Sequence, residues 1–166
     1  MSLATQQNLA LPFLLWSRIW SQLGPDETRA EAWEILGLTS SFEALGNDYW
    51  NAFHAGLPAP PASLLFHAAL GLDGANVRED WMRAANYLGL EMTGNRLPPD
   101  HLAAASEVFA IVLERREPVL ARELCERYFL PWCSFATQKL SEVAPALASL
   151  PVQFRDDLNL ALAEVV

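Results

Sequence analysis

RLPPDHLAAASEVFAIVL, residues 96–113, combines a helix start, two polar side chains and a core-facing stripe in one unit. Pro suits the first helical position because its missing N–H would be unpaired there anyway, and a carboxylate in the first turn suits the positive end of the helix dipole. The stretch therefore predicts a helix beginning near Pro99. Leu102, Ala105, Phe109, Val112 and Leu113 recur at three- and four-residue steps, so they share one face, which reads as core. Asp100 and His101 fall in the exposed first turn, where rigid structure would hold them within reach of solvent. Helix-start stabilisation alone accounts for Asp100. It does not account for His101, because a cation is disfavoured at the positive end and a neutral imidazole gains nothing special there. This pair is the first candidate site.

Helical patterns continue on both sides. Toward the N-terminus, Leu3 to Leu23 reads as a helix interrupted or begun afresh at Pro12 and ended by Gly24-Pro25. Phe13, Trp16 and Trp20 would broaden its apolar surface. Pro25-Asp26-Glu27 opens a second helix that stops at Gly37, and Ser40 or Ser41 caps a third that runs to Gly56. The prolines of Gly56–Pro61 impose a stiff loop. Ser63 to Leu70 fits a short helix closed by Gly71, and Val77 to Leu88 an amphipathic one ended by Gly89. Toward the C-terminus, Pro118 starts a helix through Phe129 that is broken or restarted at Pro131. Pro145 interrupts the next one, and a final amphipathic segment follows Pro151. The sum is an all-α single domain over residues 1–166, with about eight or nine short helices and no strand signal.

Composition sets the outer bounds. A chain of 166 residues removes roughly 70% of its unfolded-chain surface on folding. The apolar fraction of 52%, with six Trp and eight Phe, excludes a disordered chain and leaves room for apolar surface. The longest apolar run, Leu9–Trp16, is far short of the ~20 residues a membrane span needs, so no membrane insertion is expected. No Lys or Arg precedes Arg18, which argues against a secretory leader and for the cytoplasm. Cys125 and Cys133 match neither a redox pair nor a zinc spacing and read as reduced core residues. Eleven basic against twenty acidic residues give a net charge of −9, which argues against nucleic acid. That acidity keeps an apolar surface soluble or attracts a basic partner peptide.

The usual catalytic constellations are missing. There is no phosphate loop, dinucleotide fingerprint, zinc-protease helix or nucleophile elbow. His54, His67 and His101 are scattered, and the pairs Asp26-Glu27 and Asp156-Asp157 are adjacent residues that do not share a helix face. His54 and His67 read as buried, hydrogen-bonded histidines. No enzyme, metal or cofactor is expected from these residues.

Leu97-Pro98-Pro99-Asp100-His101-Leu102 resembles the proline-aspartate-histidine signature of the TorD/DmsD/NarJ family of redox-enzyme maturation chaperones. Further stretches agree in order. Tyr49-Trp50-Asn51-Ala52-Phe53 is similar to the family's aromatic-x-x-Leu-Phe segment, with Ala52 in the leucine's place. Pro60-Pro61-Ala62-Ser63 is similar to its Pro-Pro loop, Val77–Gly89 to its glycine-ended helix, and Tyr128–Trp132 to its aromatic and proline-tryptophan stretch. The resemblance spans about residues 45–140 and implies an all-helical cytoplasmic chaperone rather than an enzyme. Its partner would be the immature, cofactor-free catalytic subunit of a molybdenum-containing oxidoreductase, bound through a twin-arginine signal peptide, the mature body or both, until cofactor insertion is complete and export proceeds. It points to Asp100 and His101 as client-binding residues, with Tyr49 and Trp81 as apolar walls and Ser63 as a loop contact. Two alternatives stay open: a helical scaffold whose polar first turn is structural, and a small nucleotide- or cofactor-binding protein. A monomer and a domain-swapped dimer are both compatible with proline-rich hinges.

Overall fold

A computed structural model describes residues 8–92, 94 and 96–166. Among these residues nine α-helices follow one another: α1 (Leu11–Trp20), α2 (Asp26–Ile35), α3 (Phe42–Trp50), α4 (Phe66–Leu70), α5 (Gly74–Tyr87), α6 (Leu102–Glu114), α7 (Pro118–Leu124), α8 (Leu130–Val143) and α9 (Ser149–Val165). The all-α expectation holds, and no strand forms among the described residues beyond a single antiparallel bridge between Leu65 and His101.

Local chemistry explains several of the helix ends. Pro12 sits in the first turn of α1, so the first helix begins at Leu11; the part of the expected helix before residue 8 lies outside the described residues. Ser41 Oγ accepts from the Ala44 N–H at the start of α3, and Asp73 does the same for Asn76 at the start of α5. Helices α2 and α5 close in the same way. At Gly37 and Gly89 the backbone turns left-handed, with φ of +66° and +72°, so that Leu38 and Leu90 donate back to the carbonyls of Trp33 and Ala85. A residue with a Cβ would be strained at those turns.

The segment around Pro131 neither breaks nor restarts. Residues Cys125–Phe129 form one wide π turn, in which the Leu130 N–H reaches back to the Cys125 carbonyl, and α7 thereby runs on into α8. Widening the turn accommodates a residue with no N–H to donate. A second π turn, Asn51–Ala55, ends α3.

The buried side chains from α1 to α9 join in one cluster. Helix α6 lies inside it. Ten of its thirteen residues are buried rather than one stripe, and Ala103, Ala104, Ala105 and Ala110 are small enough to let neighbours approach on several sides. Helix α1 packs along it, joined by the Phe13–Phe109 edge contact at 4.9 Å. Phe13, Trp16 and Trp20 are therefore core, not surface. At the centre sits Phe154 of α9, whose ring meets those of Phe13, Trp16, Trp20, Phe129 and Trp132. Cys125 and Cys133 are buried free thiols, and burial pushes the Cys125 thiol up to about 12.

Candidate functional site

The turn at residues 98–101 is held by chain pairing from a distance. Phe66 N–H donates to the Asp100 carbonyl at 3.1 Å, and Leu102 N–H to the Leu64 carbonyl at 2.8 Å. His101 N–H closes the turn onto the Pro98 carbonyl at 3.0 Å. This fixes Pro98–His101 as a turn beneath the Leu64–Phe66 segment, so α6 begins at Leu102 rather than near Pro99.

The expected solvent exposure of this turn is not found: Asp100 is 0% and His101 5% exposed. Asp100 Oδ2 accepts from His67 Nδ1 at 2.6 Å and from the His67 backbone N–H at 3.3 Å. Arg78 Nε lies 3.4 Å from Oδ1. His67 is the second residue of α4 and Arg78 belongs to α5, so one buried carboxylate joins three segments. It also supplies a missing acceptor to the start of α4, a different helix from the one its sequence position suggests.

His101 is the N-cap of α6. Its Nδ1 accepts from the Ala103 N–H at 3.1 Å, which requires that nitrogen to be unprotonated. A neutral imidazole therefore does gain something at this helix end. Burial lowers its pKa from 6.5 to about 4, against a smaller upward pull from Asp100. His54 lies close enough to feel that ring. Burial first, then His101 and Arg29, lower His54 to about 3. Its Nε2 bonds the Tyr49 hydroxyl at 3.0 Å, and Tyr49 donates in turn to the Ile19 carbonyl. All three histidines are hydrogen-bonded, but only His101 is buried; His54 and His67, expected to be buried, are half-buried.

The two shifts give a pH dependence of definite sign. Folded His101 and His54 stay neutral where their unfolded counterparts take up protons, so stability is lost as pH falls from about 6.5 toward 4. The slope approaches about 1.4 kcal/mol per pH unit for each histidine. Urea midpoints measured at pH 7 and pH 5 should differ by an amount that shrinks in His101→Asn, which keeps a capping acceptor without titrating. An unchanged difference in that variant would remove His101 from the account.

Tyr49 and Trp81 are both fully buried. Tyr49 packs among Phe42, Trp50 and Phe53, and Trp81 stacks on Phe66 at 5.4 Å. Ser63 is half-buried; its Oγ accepts from the Leu65 N–H and its carbonyl from Trp132 Nε1. The structure thus gathers Ser63, Asp100 and His101 at one junction and reaches Trp81 through Phe66, whereas Tyr49 bonds His54 and packs with Phe42, Trp50 and Phe53 instead. His67 and Arg78 are the partners that sequence reasoning did not connect to Asp100.

Several hollows mark the surface. One, of about 280 Å³, flanks this turn beside Arg96, Leu97, Ala103 and Ala104. Another, of about 370 Å³, opens between α2 and α3 beside Asp26, Glu27, Glu43 and Trp50. A third, of about 500 Å³, runs between α5 and α7. Among the described residues no group of three or more His, Cys, Asp or Glu is arranged to hold a metal ion, and no helix is long and apolar enough to cross a membrane.

No family model matches the chain, and no curated protein matches it. Among solved structures, the fold matches the crystal structure of a protein from Archaeoglobus fulgidus that is provisionally described as a redox enzyme maturation protein. The TM-score is 0.68 at 20% sequence identity, over 95% of this chain and 98% of that one. The likeness extends from end to end and establishes a common fold.

Proposed function

We propose that residues 1–166 act as a single cytoplasmic chaperone domain that binds the immature catalytic subunit of a molybdenum-containing oxidoreductase, through its twin-arginine leader, its body or both, until cofactor insertion is complete. The observation that carries this reading is the end-to-end match to the fold of a redox enzyme maturation protein. The proline-aspartate-histidine stretch and the ordered aromatic and Pro-Pro segments support it from the sequence side. The protein acts by binding rather than turnover. Its net charge of −9 favours encounter with a basic leader, and complementary charge raises association rates and discriminates among partners.

Asp100, His101, Tyr49, Trp81 and Ser63 serve client binding in this reading by keeping the junction of residues 61–67 with α6 in shape. Ser63, half-buried, is the member within a client's reach. Tagged protein purified from its native cells is expected to bring down a molybdoenzyme catalytic subunit, identified by mass spectrometry. Absence of such a subunit from cells that demonstrably express one would overturn the proposal.

A further inference from the structure

We propose that the groove between α5 and α7 is a docking site for a helical segment with an apolar stripe flanked by Lys or Arg; the inference rests on the chaperone reading and assigns it a surface. Asp80, Ala84 and Tyr87 recur along one face of α5, and Leu120, Glu123 and Leu124 along α7. Each wall is about two helical turns long, or roughly 10 Å. Each end carries a polar clasp across the groove. At one end the Tyr87 hydroxyl donates to the Glu117 carboxylate, 3.1 and 3.2 Å from its two oxygens. At the other, Arg127 pairs with Asp80 at 2.7 Å, and the Tyr128 hydroxyl donates to the same carboxylate. Between the clasps Ala84, Leu120 and Leu124 form an apolar floor edged by the charged Arg83 and Glu123, and two large side chains stand on the lips, Tyr87 at 66% and Val119 at 75% exposed. That is the layout of a helix-in-groove receptor, which reads apolar anchors one and two turns apart.

Charge selects the occupant. Arg127 is matched by Asp80, and Arg83 by Glu79 at 2.6 Å. Glu117 and Glu123 take part in no ion pair among the described residues, so the α7 lip carries uncompensated negative charge. An occupant with basic residues beside its apolar stripe satisfies both the strip and the lip. An acidic one meets repulsion.

The probe is a fluorescent synthetic helical peptide with Leu at i, i+3, i+4 and i+7 and Arg beside them, compared with a sibling carrying Glu for Arg. The variant is Val119→Lys/Glu123→Lys, both positions being exposed, with its fold checked by circular dichroism. Saturable binding of the basic peptide is expected, weaker by roughly tenfold or more for the acidic sibling and for the double variant. Equal binding by the variant, equal binding of the acidic peptide, or no saturable binding would each overturn the proposal. Client capture separates this from the chaperone reading. If wild type and variant capture the subunit equally, the groove is rejected and the chaperone stands; if wild type captures none, the chaperone reading falls and the peptide comparison alone judges the groove.

Discussion

Phe154→Ala is expected to be the most damaging single truncation, lowering unfolding free energy by about 4 kcal/mol, within the range for emptying a buried aromatic site. The ring is completely buried and touches five others contributed by α1, the Cys125–Phe129 turn and α8. Those partners are held by separate backbones, so they cannot all move inward to fill the space, and an unfilled cavity costs dispersion energy as well as transfer free energy. Phe154→Leu keeps most of the volume and should recover more than half of the loss. Urea unfolding of the two variants decides the matter. A loss below about 1 kcal/mol for the alanine variant would mean that the cluster relaxes around the site.

Asp100→Ala should cost about 2 kcal/mol, the scale of lost hydrogen bonds to a charged group, with a fall in Tm of roughly 6 °C for a chain of this size. The substitution removes the acceptor for two His67 donors and the anion beside Arg78, and so unties the joint of three segments; His67 is half-buried and Arg78 exposed, so water takes over part of what the carboxylate did. Asp100→Asn retains an uncharged acceptor and should fall between wild type and alanine. Thermal melts at pH 7 test the order, and an alanine variant as stable as wild type would show that His67 and Arg78 find other partners. This expectation bears on function. If Asp100 variants are unstable, loss of client binding in them says little about contact, which is why the exposed pair Val119 and Glu123 makes the cleaner probe.

Legibility in the sequence divides along the range of the interactions. Gly37 and Gly89 were readable as helix stops because a left-handed turn and its back-bonds involve only a few neighbouring residues. Pro12 and Pro25 marked helix starts for the same local reason. Pro99 carried the same signal and misled. The carbonyl of Leu64 and the N–H of Phe66, far away in the chain, claim the backbone of Asp100 and Leu102 and hold the turn out of the helix. The burial of Asp100 follows from that pairing, as does its service to α4. Trp16 and Trp20 were readable as apolar but not as central, because their burial depends on α9 and α8 returning across α1. The fold class needed only periodicity. The groove needed the placement of α5 beside α7, which no local pattern encodes, although Asp80, Ala84 and Tyr87 already shared a helix face in the sequence.

The most direct test of the account is capture by tagged wild-type protein from native cells grown with and without molybdate, followed by metal analysis of what is bound. The chaperone reading predicts a molybdoenzyme catalytic subunit that arrives free of its metal cofactor and is captured in larger amount when molybdate is withheld. A captured subunit already loaded with cofactor and unaffected by molybdate, or no such subunit under either condition, would contradict it.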